Sequence, residues 1–120
     1  GSIVAWRRKA VKDTEIGGVP ILQGAEILLL MGSANRDEGR FEDGESFDIG
    51  RKNAREHLSF GFGIHYCLGN MLAKLQTKIA LEELSSAIPT LDINEPEGIT
   101  FRESISMRIP HHVNVTWNEA

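Results

Sequence analysis

The sequence of 120 residues has little of several features that mark large classes of protein. Its single cysteine excludes an internal disulfide, so we expect a reducing compartment such as the cytoplasm. Only thirteen lysines and arginines stand against seventeen acidic residues, and the net charge of -4 argues against a nucleic-acid-binding protein. The longest apolar run, residues 27–31, is far shorter than the ~20 residues that span a bilayer. We therefore expect neither nucleic acid nor a membrane among the partners of this chain.

The length is that of one domain, and we expect a single domain over residues 1–120. No signal peptide is visible at the start of the sequence. Gly1 and Ser2 have the composition of a remnant left by cloning, so we expect the natural N-terminal part to be missing.

Short strands and tight turns are predicted for the first third of the chain. The Gly17-Gly18 pair separates residues 14–16 from residues 19–22, which is typical of a β-hairpin. A second turn at Gln23-Gly24 precedes residues 26–30, which are apolar without alternation. Such a run is typical of a strand that is buried on both faces.

The middle of the chain alternates between irregular and helical patterns. Residues 32–36 predict a short helix, and residues 37–44 a polar loop. Residues 41–58 show neither a helical nor a strand period, and long irregular segments in a compact domain are usually functional or disordered. Residues 70–88 contain neither glycine nor proline and are followed by Pro89, which predicts one long helix.

Apolar residues of this long helix fall on two roughly opposite faces. Leu68, Leu72, Leu75 and Ile79 share one face, and Leu81, Leu84 and Ile88 share the other. Because a helix that is apolar on two sides is usually packed between two layers, we expect a central core helix. Strand-like segments at residues 91–93 and 113–117 complete the predicted elements.

The cysteine lies in the segment FGFGIHYCLG, residues 60–69. Cys67 comes just before the long helix, where free N–H groups and the helix dipole stabilise a thiolate. The residues by themselves leave three interpretations open. Cys67 is a buried and inert thiol, a nucleophile with a histidine as its base, or a zinc ligand. The candidate partners are His57, His65, His111 and His112, and their spacing is a weak match to a zinc site.

The whole segment resembles the haem-binding signature of the cytochrome P450 family. That signature reads Phe, Gly, any, Gly, any, His or Arg, any, Cys, any, Gly, and its fixed positions are matched by Phe60, Gly61, Gly63, His65, Cys67 and Gly69. Residues 15–18, 32–37, 47–49 and 71–75 resemble the flanking regions of soluble bacterial members. The resemblance covers nearly all of the chain and implies an α+β fold, the C-terminal fragment of the cytochrome P450 fold.

The resemblance also implies a cofactor, haem b, with Cys67 as the axial thiolate ligand of its iron. From the residues alone, Phe60 and Phe62 can form a dry wall beside the sulfur. The resemblance places Phe60 against the sulfur, where it would help to keep water out, and implies that Gly61 and Gly63 let the loop turn tightly beneath the porphyrin. The positions that the resemblance places at the cofactor are Arg8, Phe60, Gly61, Phe62, Gly63, His65, Cys67, Gly69 and Ala73.

Charged positions carry three further expectations from the resemblance. His65 and Arg8 match positions that contact the haem propionates. Lys74 matches a basic position on the surface that meets electron donors, and it equally fits an ordinary exposed helix lysine. Ser46 stands where family members have an arginine that joins an ion-pair network, and either Arg40 or Arg51 substitutes for it or the network is altered.

The activity implied is that of a haem-thiolate monooxygenase, which inserts one atom of dioxygen into a small organic substrate. A ferredoxin- or flavin-type protein would donate the electrons. The chain matches only the proximal part of such an enzyme, so we expect it to be inactive alone and to self-associate. The alternatives are a non-catalytic haem-binding module and a structural fragment that folds without haem.

Overall fold

The computed structural model describes residues 1–118, and in it short antiparallel strand pairs accompany one long helix. The strands are β1 (Trp6–Lys9), β2 (Thr14–Ile16), β3 (Val19–Ile21), β4 (Glu26–Leu29), β5 (Asp92–Ile93) and β6 (Val115–Thr116). The helices are α1 (Met31–Ala34) and α2 (Asn70–Ala87), and single 3₁₀ turns occur at Ala54–Glu56 and Gly63–His65. This mixture of strands with one long helix confirms the predicted α+β class.

The chain divides into two compact units, each described here by itself. Unit 1 comprises residues 1–59 and 104–108, and unit 2 comprises residues 60–103 and the segment that starts at Ile109. Compact units of this size do not by themselves define independently folding domains. The assignment of residues 1–120 to one domain therefore stays a prediction.

Unit 1 contains two antiparallel strand pairs, β1 with β4 and β2 with β3. The β2–β3 connection is the predicted hairpin, and Gly17 and Gly18 both have positive φ values, 58° and 81°. Two consecutive residues with positive φ are typical of a two-residue hairpin turn, because the twist of this turn matches the right-handed twist of the two strands that it joins. The second predicted turn is also present, since Ala25 N–H donates to the Leu22 carbonyl at 3.1 Å.

The core of unit 1 is small. Its buried apolar residues are Ala5, Ala10 and Phe41, and Phe41 is 5% exposed. The backbone closes this core through two hydrogen bonds of 2.9 Å, from Val4 N–H to the Ser106 carbonyl and from Gly32 N–H to the Val4 carbonyl. The segment around Phe41 is irregular as predicted, apart from the short turn at Ala54–Glu56.

The prediction that residues 26–30 are buried on both faces is wrong for this chain. Leu28, Leu29 and Leu30 are all substantially exposed. The physical reason is that β4 pairs with β1 in a sheet of two strands, and within residues 1–118 no second layer covers its faces. The apolar composition of this strand therefore describes a surface that the chain by itself does not bury.

Unit 2 contains the long helix α2, which begins at Asn70 as predicted and ends at Ala87, one residue before the predicted end. The expectation of a central core helix is wrong, because no residue of α2 is buried. Both apolar faces, represented by Leu72 and Leu81, remain exposed. The predicted terminal strands are confirmed, since β5 and β6 pair antiparallel with Asp92 opposite Thr116.

Within residues 1–118, no helix is both long enough and apolar enough to cross a bilayer. Self-association of the chain has no test in this structure and stays a prediction.

Candidate haem-thiolate site

The cysteine loop of unit 2, residues 60–69, is closed by its own backbone. Cys67 N–H donates to the Phe60 carbonyl at 2.8 Å, so Cys67 lies beside the first residue of the loop. Tyr66 N–H donates to the Gly63 carbonyl at 3.0 Å and forms the 3₁₀ turn between them. The loop is therefore a compact hydrogen-bonded turn and has a defined backbone at the thiol.

Gly61 and Gly63 make this turn possible, because both have positive φ values, 75° and 60°. Gly61 is also crowded, since a Cβ atom there would lie 3.0 Å from the His65 carbonyl oxygen. At Gly63 such an atom would meet open space. The first glycine is thus required by both backbone conformation and packing, whereas the second is required by conformation alone.

Cys67 is exposed, which contradicts the interpretation of a buried and inert thiol. The helix α2 begins three residues later, and Asn70 donates to the Cys67 carbonyl from its backbone at 3.2 Å and from Nδ2 at 2.9 Å. These contacts fix the position of Cys67 relative to the N-terminal end of the helix. An accessible sulfur beside a helix N-terminus can act as a thiolate ligand.

The structure also bears on the other two interpretations from the residues alone, a zinc ligand and a nucleophile with a histidine base. Among residues 1–118, no group of three or more Cys, His, Asp or Glu residues is placed to hold a metal ion. This argues against the zinc site. The side chain of His65 makes no hydrogen bond or ion pair with the rest of residues 1–118, so it is not hydrogen-bonded to Cys67 as the base of a nucleophile would be.

The surface around the thiol is apolar and open. Leu68, which directly follows the cysteine, is 99% exposed, and Phe62 and Ile64 on the loop are also largely exposed. Ala73, the small residue of the first turn of α2, is partly buried. A flat apolar ligand such as a porphyrin fits this chemistry, because an exposed sulfur and exposed hydrocarbon occur together on one loop.

Phe60 has contacts on both its ring and its backbone. Its ring centroid lies 6.4 Å from that of Tyr66 with an interplanar angle of 58°, and Lys74 Nζ lies 5.4 Å from the same centroid. The sequence predicted Phe60 beside the sulfur but gave no reason to expect contacts with Tyr66 and Lys74. Helical spacing alone does not reveal them, because they depend on how the loop folds back toward α2.

Arg8 lies in unit 1, on β1 opposite Ile27. Its Nη1 donates to the carbonyl of its neighbour Arg7 at 2.9 Å, and the side chain is partly buried. The other predicted cofactor positions all lie in unit 2. The proposed contact between Arg8 and a propionate therefore stays a prediction.

The loop that carries Ser46 is held by Arg51. The Arg51 guanidinium donates to the carbonyls of Glu42, of Asp43 at 2.9 Å and of Ser46 at 3.2 Å. Arg40 instead pairs with Glu56 at 2.7 Å. Of the two arginines considered as substitutes, Arg51 is thus the one that binds the backbone of this loop at Ser46.

Asn35 is a further positioning residue that the sequence pattern did not single out. Its Oδ1 accepts from Leu58 N–H at 2.7 Å, and its Nδ2 donates to Ser59 Oγ at 3.1 Å. Both contacts are partly buried. Asn35 therefore fixes the segment that leads into the cysteine loop.

Comparison with known proteins identifies the family of the chain. The family model described as Cytochrome P450 matches residues 2–86. The chain is 41% identical over 90% of its length to 6-deoxyerythronolide B hydroxylase of Saccharopolyspora erythraea, and 37% identical over 94% to the mycinamicin IV hydroxylase/epoxidase of Micromonospora griseorubida. These alignments cover 27% and 28% of the two relatives.

Solved structures give the same result. Cytochrome P450 CREJ superposes with a TM-score of 0.94 and 69% identity, over 99% of this chain and 30% of that one. The haem domain of CYP116B5 from Acinetobacter radioresistens superposes with a TM-score of 0.93 and 40% identity, over 98% of this chain and 28% of that one. The chain thus spans less than a third of the length of the relatives it matches. On its sequence, its fold and its cysteine loop, the chain belongs to the cytochrome P450 family.

Proposed function

We propose that this chain supplies the cysteine-bearing part of the haem site of a haem-thiolate monooxygenase, in which Cys67 would be the thiolate ligand of the iron of haem b. The observation that carries the proposal is the exposed thiol of Cys67 on a loop that matches the family signature throughout. When bound, the haem supplies the chemistry that activates dioxygen, and a thiolate ligand favours cleavage of the O–O bond.

The residues around Cys67 have separate roles in this proposal. Leu68 and Gly69 follow Cys67 directly before α2, and hydrogen bonds from their N–H groups to the sulfur would stabilise the thiolate. Leu68 would place its exposed side chain against the porphyrin, as would Phe62. Ala73 would leave room where the helix passes the cofactor.

His65 is proposed to bind a haem propionate. It ends the 3₁₀ turn of the loop, and its exposed imidazole makes no hydrogen bond to another of residues 1–118. An imidazole N–H can donate to a carboxylate, and a protonated ring would add charge attraction. Arg8 is proposed for the same type of contact, on the family resemblance alone.

The decisive test is the spectrum of the haem-loaded, reduced protein under carbon monoxide. We expect the red-shifted Soret band of thiolate-ligated haem in the unaltered chain and its complete loss in Cys67→Ala. Leu91→Ala, at a half-exposed position outside the loop, serves as the control and should retain the band. If Cys67→Ala kept the band, or if the unaltered chain bound haem without it, the assignment of Cys67 would be wrong.

The whole reaction is proposed to require more polypeptide than this chain. The chain covers less than a third of its relatives, so more than two thirds of their residues have no counterpart in it, and we expect residues that enclose substrate to be among them. Poor exclusion of water favours side reactions over oxygen insertion. We expect the isolated chain to give no product formation coupled to reductant consumption, and coupled hydroxylation would contradict this.

The substrate class is proposed as a small organic molecule, with electrons from a ferredoxin- or flavin-type donor. One structure of cytochrome P450 CREJ, 69% identical to this chain, is a complex with (4-ethylphenyl) dihydrogen phosphate. An alkylphenyl phosphate is therefore the first substrate to test with the longer protein. A substrate-induced change in the haem spectrum measures binding, and the parent phenol without phosphate is the control.

Self-association of the isolated chain is proposed because both faces of α2 are exposed. Leu72 and Leu75 represent one face and Leu81 the other, and large apolar patches are uncommon on monomeric proteins. Light scattering should give a mass above that of a monomer, and Leu72→Glu should reduce it. Thr77→Glu, a polar position on the same helix, is the matched control. A monomeric mass at millimolar concentration would contradict the proposal.

A further inference from the structure

Lys74 occupies an unusual position for an exposed helix lysine. It lies in the second turn of α2, and its Nζ is 5.4 Å from the centroid of the Phe60 ring. Within residues 1–118 no carboxylate is paired with it. A lysine ammonium at this distance over an aromatic face is attracted by the negative charge of the ring face. The contact joins α2 to the first residue of the cysteine loop.

Phe60 contacts both Lys74 and Cys67. The same residue whose ring meets the ammonium offers the carbonyl that accepts Cys67 N–H at 2.8 Å. Tyr66, the neighbour of Cys67, contacts the Phe60 ring at 6.4 Å between centroids. Movement of Phe60 would therefore disturb both the hydrogen bond at Cys67 and the ring contact beside it.

We propose that Lys74 is a positioning residue for the iron ligand, which holds Phe60 by a cation–π contact and thereby fixes the backbone of Cys67. The proposal rests on the proposed function in one respect, that Cys67 is the iron ligand. The role that it assigns to Lys74 is a contact within this chain. It differs from both roles expected from the sequence, those of a donor-docking charge and of a merely solvated lysine.

The helix also provides a matched lysine without this contact. Lys78 lies one turn further along α2 and pairs with Glu82 at 3.7 Å, with both side chains largely exposed. Exposed pairs of this spacing contribute little to stability. Loss of Lys78 therefore reports the general effect of removing a positive charge from α2, and loss of Lys74 reports that effect together with the contact to Phe60.

The experiment is amide hydrogen exchange at Cys67 in the haem-free 120-residue chain. In Lys74→Met the exchange of this amide should become about two- to fivefold faster, the range that an exposed cation–π contact supports. Lys74→Arg should retain most of the protection, because a guanidinium also binds aromatic faces. Lys78→Met should leave the Cys67 amide unchanged.

Two comparisons separate positioning from general destabilisation. Amides near Leu84, at the other end of α2, should be unaffected by Lys74→Met, whereas a global loss of stability would accelerate them as well. In a Phe60→Leu background, Lys74→Met should have no further effect on Cys67, because the ring that binds the ammonium is gone. Equal acceleration in both backgrounds, or acceleration by Lys78→Met to the same extent, overturns the proposal.

The haem-loaded chain gives an independent readout. Lys74→Met should increase the fraction of the reduced carbon monoxide complex that lacks the thiolate-ligated Soret band. In Lys74→Arg this fraction should stay close to that of the unaltered chain. If the unaltered chain shows no thiolate band at all, the proposed function fails. The hydrogen exchange at Cys67 still decides whether Lys74 positions this residue, so the two failures are distinguishable.

Discussion

The two units of the chain differ in how they are stabilised. Unit 1 contains all three residues that are buried among residues 1–118, and its loops are held by side-chain to backbone contacts from Asn35 and Arg51. Unit 2 contains the longest helix, yet none of its described residues is buried. The longest element of secondary structure and the buried core thus lie in different units. Unit 2 therefore exposes apolar surface that its own residues do not bury.

The tryptophans allow each unit to be followed separately. Trp6 lies in unit 1 and Trp117 in unit 2, and both are about half exposed. Trp117→Phe leaves unit 1 as the source of indole fluorescence, and Trp6→Phe leaves unit 2. Unfolding by urea in these two backgrounds is the measurement for the variants below.

The largest expected effect is that of Phe41→Ala on unit 1. Truncation of a buried phenylalanine costs about 3–5 kcal/mol through lost burial and the cavity that remains. Phe47→Ala is the matched control, because Phe47 lies six residues away and is 96% exposed. We expect the Trp6 signal to show strong destabilisation in the first variant and little change in the second. Similar effects of the two substitutions would show that burial of Phe41 does not stabilise unit 1, which would contradict the claim that this unit has a core.

Arg51→Ala should have the next largest effect on unit 1. It removes a guanidinium that donates to three loop carbonyls, and the exposure of these contacts limits the cost to about 1–2 kcal/mol. Arg55→Ala, at an exposed position on the short 3₁₀ turn nearby, is the control and should change the unfolding free energy by less than about 0.5 kcal/mol. Equal effects at the two positions would show that Arg51 has no special role in this loop.

Hydrogen exchange should separate the units without any substitution. An isolated helix of this length is only marginally stable, so the amides of α2 should exchange about tenfold faster than those that pair β1 with β4. Addition of haem should slow exchange in α2 more than in β1 and β4. Equal protection in the two units without haem would contradict the comparison.

The smallest expected effect distinguishes two glycines of the cysteine loop. Gly61→Ala and Gly63→Ala both place a side chain at positive φ, which costs about 1 kcal/mol. Gly61→Ala also forces a Cβ atom to 3.0 Å from the His65 carbonyl, and we expect roughly 1 kcal/mol more destabilisation from this contact. The Trp117 signal measures both variants. A larger effect at Gly63 would show that the crowding at Gly61 is unimportant.

Much of the candidate site could be predicted from sequence because its determinants are local. The glycine pair of the hairpin, the helix that starts after Gly69 and the loop signature around Cys67 all depend on residues close together in the chain. Backbone conformations such as positive φ and helix initiation are set by neighbours within a few positions. For this reason β2 to β6, the two turns and α2 appear nearly where they were predicted.

Burial was the part that the sequence could not determine. Residues 26–30 and α2 have the composition of buried segments, but their exposure depends on which layers are present to cover them. An apolar composition indicates that a segment is suited to burial, but it does not identify the residues or the ligand that cover the segment. The same limit applies to Lys74, whose contact with the Phe60 ring follows from the way the loop returns to the helix.

The sequence by itself determined the family, the iron-ligand candidate and the order of the secondary-structure elements, because each of these depends on short segments of neighbouring residues. Tertiary structure alone decided that Arg51 binds the Ser46 loop, that Asn35 holds the segment before Phe60, and that Lys74 lies over its ring. These contacts join residues 5–24 positions apart or depend on the turn between them. The partners in these contacts depend on how the backbone folds back on itself, and a local sequence pattern does not specify that path.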